Sequence, residues 1–396
     1  MIDAGKKSNT RETLLVHGCG IAPWSWQGWS SSFTGAGVQI FVDGFVASVN
    51  GKGGGNQSSD WNICAASIVD LYKQKGLEFV QSLRGSFVLA LWDERQEKLI
   101  LATDAFGTRP IYYWTANRRI AFAPRIDSFA AAVEIPKVIE PNSLYFYLNH
   151  SFIPAPFTIY QGIRRLEPGH TLEWAKHRST VRRYWDMAYD EDPSLSEAAA
   201  AESVRASLAD SVRFALQDGA SGSSTFGAFL SGGTDSSTLV GLMSQCSAQP
   251  TKTFSVGFEE AAYNEIHYAR IAARHFKSLA HEYIVRPEEA LAAMPALAAA
   301  YDEPFGNSSA IPTYFCLKMA KDAGVNIMFA GDGGDELFGG NERYITEKVF
   351  SIYQQVPRPL RSVLDYSAEI IPPFYPWRKV RNYIRKANQP AVDRFF

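Results

Sequence analysis

Apolar residues in the first half of the chain recur mostly at two-residue spacing. Val38, Ile40 and Val42 alternate with polar or aromatic neighbours ahead of an Asp43-Gly44 turn signal, and residues 87–92 form an unbroken apolar run, the pattern of a strand covered on both faces. Further strands are predicted at residues 98–103, 111–114 and 119–123. One early helix breaks the series: Cys64, Ile68, Leu71 and Tyr72 fall at helical spacing, and Gly76 supplies the left-handed residue that stops it. The pattern predicts a strand-rich layered domain.

Residues 186–202 shift to Asp, Glu, Ser and Ala with one proline, a linker running into a helix, so a domain boundary is expected near 190–200. Beyond it strand, loop and helix follow in regular order. A strand at 225–230 precedes a helix carrying Leu239, Leu242, Met243 and Cys246, and a strand at 253–258 precedes one carrying Ile266, Ala269, Ala273 and Phe276. The order continues with a strand at 281–285, an Ala-rich helix from Pro287, a helix from Pro312 closed by Gly324, and a strand at 325–330. Such alternation builds a parallel sheet with helices on both faces. The expected domains are residues 1–190 and 200–396.

Composition narrows the function classes. With 396 residues, 46% apolar side chains and 39 basic against 41 acidic groups, the chain reads as folded, nearly neutral and large enough for two cores. No Lys/Arg run is present to neutralise phosphates, which argues against nucleic acid as a main partner. Four dispersed cysteines (Cys19, Cys64, Cys246, Cys316) form neither a disulfide scaffold nor a CxxC metal site, and seven histidines show no ligand spacing, so no zinc is assigned. Neither a membrane-spanning helix nor a secretory leader is read, which makes cytoplasmic residence the expectation.

The chemistry concentrates in two loops. Ser231-Gly232-Gly233-Thr234-Asp235-Ser236-Ser237 lies between an apolar strand and an amphipathic helix, the ligand crevice of a parallel sheet. Glycines there let the backbone approach an oxygen-rich group, hydroxyls donate to it, and the helix start offers free N–H groups: a phosphate cradle. It is not a GxxxxGK[ST] loop, so γ-phosphoryl transfer in the P-loop manner is disfavoured. Gly331-Asp332-Gly333-Gly334-Asp335-Glu336-Leu337-Phe338-Gly339-Gly340 follows another apolar strand to the same sheet edge, where Asp235 and Asp335 could share one Mg²⁺ beside phosphate oxygens.

These two segments, with Ser255-Val256-Gly257-Phe258, Tyr301-Asp302-Glu303-Pro304-Phe305 and Ser308-Ser309-Ala310-Ile311-Pro312 between them, resemble the synthetase domain of glutamine-dependent asparagine synthetases. The resemblance implies an α/β domain of the ATP-pyrophosphatase type (adenine nucleotide alpha hydrolase-like). It implies ATP and Mg²⁺, with a substrate carboxylate adenylated at the α-phosphorus and then captured by an amine. Carried over, Ser231, Gly233, Asp235 and Ser236 would hold pyrophosphate, Leu230, Val256 and Gly331 would frame the adenosine, and Gly232, Ser237 and Gly257 would complete the ATP-binding set. Asp235 and Asp335 would bind the metal, Asp332 would lie near the reacting carboxylate, and Asp302 and Glu303 would lie beside the acceptor.

The first half resembles the family's glutamine-hydrolysing domain, an N-terminal-nucleophile (Ntn-hydrolase-like) α+β sandwich, through Leu83-Arg84-Gly85-Ser86-Phe87, Leu91-Trp92-Asp93 and Ala102-Thr103-Asp104-Ala105-Phe106-Gly107-Thr108-Arg109-Pro110. Such enzymes use a cysteine at the mature N-terminus. Here residue 2 is Ile2, and Cys19 would become terminal only after removal of 18 residues. Asp43-Gly44-Phe45 stands where relatives show Asn-Gly-Glu, Ile63-Cys64 where they show Ser-Asp, and the stretch after Cys19 is too short for their arginine-bearing loop. These departures predict an inactive glutaminase.

The family's synthetase domain runs past residue 396 and supplies a lysine, so a shortened or partial domain is expected, with Lys379 and Lys386 reading as solvated helix charges. The leading expectation is an amide ligase with aspartate as default acceptor, giving asparagine. A lactam- or macrolactam-forming cyclase keeps the chemistry and changes the substrate, and a nucleotide-binding protein without turnover is the alternative of another class. Expected partners are a small-molecule or peptide carboxylate, ammonia or an amine, and a second copy in a homodimer. Neither nucleic acid nor a membrane is among them.

Overall fold

In the computed structural model, which describes residues 14–16, 30–47, 65–116, 118–131, 135, 137–217, 225–260, 264–370 and 377–390, the chain divides into two compact units. The first comprises residues 1–224 and 287–314, the second residues 225–286 and 315–396.

Through residue 217 the elements are β1 (Leu14–Val16), β2 (Ser30–Gly35), β3 (Val38–Ala47), α1 (Ala65–Lys75), β4 (Arg84–Asp93), β5 (Lys98–Thr103), β6 (Tyr112–Ala116), β7 (Arg119–Ala123), α2 (Pro141–His150), β8 (Ile163–Arg165), β9 (His170–Ala175), β10 (Arg178–Arg183) and α3 (Glu197–Gln217). Antiparallel pairing orders them into one sheet, β1-β7-β6-β8, and a second, β10-β9-β5-β4-β3-β2. The two-residue alternation explains the layering. Val38, Ile40, Phe87, Leu89, Leu91 and Ile100 face Ile68, Val69 and Tyr72 of α1. Their neighbours Phe41, Val88, Ala90, Trp92, Leu99 and Leu101 meet Tyr113, Ile120 and Phe122 of the smaller sheet. The apolar run at 87–92 is thus the middle of a strand buried on both faces, and α1 ends at Gly76 in the left-handed conformation (φ +57°).

One local signal misleads. Asp43-Gly44 is no turn: β3 runs through both residues, paired with Val88 and Phe87 of β4. Gly44 is required there for a different reason. Its φ is +107°, and a Cβ would strike the Ser86 carbonyl oxygen and come within 2.7 Å of the Arg109 Nε.

The second unit contains β11 (Phe226–Phe229), α4 (Thr234–Cys246), β12 (Lys252–Phe258), α5 (Ile266–Phe276) and β13 (Leu279–Val285). The chain then forms α6 (Pro287–Ala300), which belongs to the first unit, and α7 (Ala310–Asp322), inside which the division falls. It finishes with β14 (Ile327–Phe329), α8 (Gly334–Phe338), α9 (Glu342–Gln355), α10 (Arg358–Ile370) and α11 (Trp377–Ala387). The sheet is wholly parallel, in the order β13-β12-β11-β14. Phe254 of β12 packs with Cys316 and Ala320 of α7 on one face. Thr251, just before β12, reaches α4, its hydroxyl lying 3.3 Å from that of Ser244. The end of α7 at Gly324, φ +71°, and the parallel order follow the sequence pattern.

That order carries a functional implication. From β11 the chain winds outward through β12 to β13, then returns so that β14 pairs with the other side of β11. The winding direction reverses between β11 and β14, and in open parallel sheets ligands bind beyond the carboxyl ends of the two strands at such a reversal.

Candidate functional site

The loops at that reversal are the two motifs. After β11, Leu230 is fixed from both sides: its N–H donates to the Phe254 carbonyl at 3.0 Å, and its carbonyl accepts the Ser255 hydroxyl at 2.6 Å. The chain then turns sharply at Gly232, φ +87°. A Cβ there would lie 2.5 Å from the Ala269 nitrogen and collide with the Tyr268 backbone, so the loop passes directly over α5. Ser231 and Ser236 hydroxyls lie 3.0 Å apart, and the Gly233 N–H donates to the Ser231 Oγ at 3.2 Å. Gly233 caps α4 without a side-chain bond, and Ser237 is the first residue whose N–H closes a helical bond, to the Gly233 carbonyl at 3.0 Å. The N–H groups of Thr234, Asp235 and Ser236 are therefore free within the helix and point out of its start.

The second loop comes to the first. Gly331 packs on the Asp235 backbone, where an added Cβ would lie 3.0 Å from the Asp235 Cβ and the Ser236 nitrogen. Gly334 lies closer still: a Cβ on it would overlap the Asp235 carboxylate. Asp235 is half-buried between the loops, while Asp332 and Asp335 are exposed. Gly333 takes φ +92° to start α8. Gly257 has no room for a side chain, since Asn264 Oδ1 and Ile284 Cδ1 each lie 2.8 Å from its Cβ position; that same Asn264 oxygen accepts the Ile266 N–H at the head of α5. Val256 packs beside Phe254. The supporting role of Asn264, Tyr268 and Ala269 is absent from the sequence reading, because these residues have no motif of their own.

This donor set fits a magnesium nucleotide. Small-residue backbone lines the space beside one carboxylate, helix N–H groups face outward, and a second acid follows Gly334 directly. Among the described residues no cluster of three or more His, Cys, Asp or Glu side chains forms a closed metal centre. Mg²⁺ needs only one or two carboxylates beside phosphate and water, a requirement Asp235 meets, while the Asp335 carboxylate lies against Gly340 just past α8.

Asp302 and Glu303 are placed in the first unit. Asp302 Oδ1 pairs with Arg125 Nη2 at 2.9 Å, and Glu303 accepts the Ile159 N–H at 2.9 Å with Arg165 Nη1 3.8 Å away. Burial pushes the Glu303 carboxyl above the usual range, outweighing that hydrogen bond and the arginine. Both acids thus have partners within their own unit.

The glutaminase-like half holds another charged pair. Asp43 is buried at 2% exposure and its Oδ2 lies 3.1 Å from Arg109 Nη1, on the wall of a cavity of about 330 Å³ with Ser86, Thr108 and Pro110. Burial raises its pKa despite the arginine. Ile2, Cys19, Ile63 and Cys64 lie outside the described residues. Lys379 and Lys386 are exposed on α11. No helix among the described residues is long and apolar enough to cross a membrane.

Comparison with known proteins agrees with both halves. Residues 203–391 match the asparagine synthase family model and residues 58–185 the glutamine amidotransferase domain. A putative glutamine-hydrolyzing asparagine synthetase 2 of Methanocaldococcus jannaschii is 30% identical over 301 residues, covering 75% of this chain and 57% of that protein. The glutamine-hydrolyzing asparagine synthetase 1 of Bacillus subtilis is 28% identical over 343 residues, covering 86% and 52%. Amidase chry2 of Gibberella zeae is 29% identical over 297 residues, covering 70% and 43%. The chain spans about half the length of the curated relatives it matches.

Proposed function

Because residues 203–391 match the asparagine synthase family model, we propose that the chain is an ATP-dependent, AMP-forming amide ligase. The observation that carries this reading is the meeting of the Ser231–Ser237 loop with Gly331 and Gly334 around Asp235, at the reversal of the parallel sheet.

In this reading a substrate carboxylate oxygen attacks the α-phosphorus of ATP. The bond to the pyrophosphate oxygen breaks, and an acyl-adenylate forms. An amine then attacks the acyl carbon, and AMP leaves with the bonding electron pair. Adenylation is needed because a carboxylate oxygen is a poor leaving group. Ser231, Ser236, Ser237 and the N–H groups at the start of α4 hold the departing pyrophosphate, and Gly232 and Gly233 keep that surface free of side chains. Such fixed donors act where charge develops in the transition state, which is usually where most of the rate acceleration originates. Leu230, Val256, Gly257 and Gly331 border the nucleoside. A magnesium ion held by Asp235 and Asp335 would neutralise phosphate charge. Exposed Asp332 is the acid available to take a proton from the attacking amine.

The nitrogen comes from free ammonia or from an amine within the substrate, not from glutamine. Supporting this is Asp43: a buried acid paired with Arg109 occupies the position where the resembled enzymes carry a neutral asparagine. An acid is a poor neighbour for the oxyanion that amide hydrolysis generates. Aspartate is the default acceptor; an internal amine would instead close a lactam or macrolactam on the same machinery. Phosphorus NMR of ATP turnover with ammonium and a panel of carboxylic acids tests the reading. AMP and pyrophosphate in equal amounts support it, whereas ADP and phosphate as the nucleotide products refute it.

A further inference from the structure

Residues 301–306 have no regular secondary structure, and their backbone is held by the rest of the first unit. Three anchors fall within five positions. Arg125 pairs with Asp302 at 2.9 Å and donates to the Ala300 carbonyl at 3.3 Å. Glu303 accepts the Ile159 N–H at 2.9 Å and faces Arg165, whose other nitrogen donates to the Ile153 carbonyl at 2.9 Å. The Gly306 N–H donates to the Ser151 carbonyl at 2.8 Å, and a Cβ on Gly306 would lie 2.8 Å from that of Ser151. Every holding group lies within residues 58–185, the amidotransferase-like match, and every held one within 203–391. The chain goes on from Gly306 into α7 at Ala310, then through β14 to Gly331 and Asp332.

We propose that Arg125 and Arg165 are positioning residues for the ligase reaction, acting through Asp302 and Glu303, so that the amidotransferase-like half serves as a clamp on residues 301–306. Half-buried ion pairs add little net stability over apolar contacts of the same shape, but they fix a unique arrangement when every group is partnered. A segment without its own ladder of hydrogen bonds has its place set by such contacts. The proposal rests on the ligase reading given above.

The test uses the full chain in four forms: wild type, Arg125→Asp, the exchanged pair Arg125→Asp with Asp302→Arg, and the isosteric Asp302→Asn. Amide hydrogen exchange over 301–309 is read beside steady-state AMP formation. Arg125→Asp is expected to lose protection there and about 100-fold in kcat, the size of loss a misplaced reacting geometry brings. KM for ATP should stay within about twofold, since the nucleotide loop is untouched. The exchanged pair should restore both readouts, and Asp302→Asn should move both the same way by less. Unchanged exchange in Arg125→Asp and Asp302→Asn overturns the clamp. Restored exchange without restored kcat also overturns it, since Asp302 would then contact substrate itself. A wild type protected at 301–309 but forming no AMP refutes the ligase reading instead, a separate outcome from loss of the clamp.

Discussion

The Asp235 carboxylate, in the first turn of α4, lies against the α-carbon of Gly334, the first residue of α8, so closely that a methyl group on Gly334 would overlap it. Two segments about a hundred positions apart thus share one small volume at the edge of the parallel sheet. This contact joins the loop at Ser231–Ser237 to the loop that begins at Gly331.

Gly334→Ala is therefore expected to push the Asp235 carboxylate aside while α8 tolerates the change. Titration calorimetry should show magnesium-ATP affinity falling by about tenfold or more, the loss of one charge-assisted contact being roughly 1.5–3 kcal/mol. Gly333→Ala is the contrast: its φ of +92° makes a side chain strained, yet nothing lies within 4 Å of the added carbon. It should cost about 1–2 kcal/mol of stability with ATP affinity kept. Equal ATP affinities in the two variants would contradict the placement of Asp235.

Gly232→Ala should be the most damaging of the loop substitutions. The residue needs a left-handed backbone and also abuts the backbone of Tyr268 and Ala269, which cannot swing away as a side chain could. A thermal midpoint lower by several degrees is expected, a shift of about 2–4 °C per kcal/mol for a domain of this size. ATP-dependent stabilisation should be lost with it.

Much of this is legible in the sequence because its causes are local. Gly76 and Gly324 end helices where the pattern places the stops, and the doubly covered strand β4 announces itself by its unbroken apolar run. The parallel order of the second unit follows from strand-loop-helix alternation. The misses have physical reasons. Asp43-Gly44 carries turn composition, but the close approach of β4, invisible in local sequence, decides its conformation. The pattern reading omits α2, α9 and α10, although α10, like α11, is strongly amphipathic. The groups holding Asp302 and Glu303 lie far away in sequence, Ile159 being 144 positions before Glu303 and Arg125 175 before Ala300, so only the folded chain shows that these acids already have partners.

The Asp43–Arg109 pair predicts a pH dependence. Burial raises the Asp43 carboxyl above its ordinary value of 3.8, so the folded state holds that proton more tightly than the unfolded one. The stabilisation this contributes is full below that ordinary value and is lost as the pH rises through the elevated one. Relative to Asp43→Asn, the wild type should therefore lose stability as the pH rises above the ordinary value of 3.8, read as the difference in thermal midpoints. A difference that grows in favour of the wild type with rising pH would contradict it.

Glutamine should not be consumed. Glutamate release is expected to be absent in the presence of ATP and acceptor, unchanged by Cys19→Ala, while ammonium or an amine-bearing acceptor supports AMP formation. Glutamate release abolished by Cys19→Ala would show a working glutaminase and overturn the reading of Asp43.

The account stands on carboxylate adenylation at the loops around Asp235, and exchange of labelled pyrophosphate into ATP measures that step without waiting for the amine. The prediction is exchange that requires both Mg²⁺ and a carboxylic acid and that disappears in Asp235→Asn while the fold is kept. Exchange persisting undiminished in Asp235→Asn, or ATP turnover that yields only ADP, would contradict it.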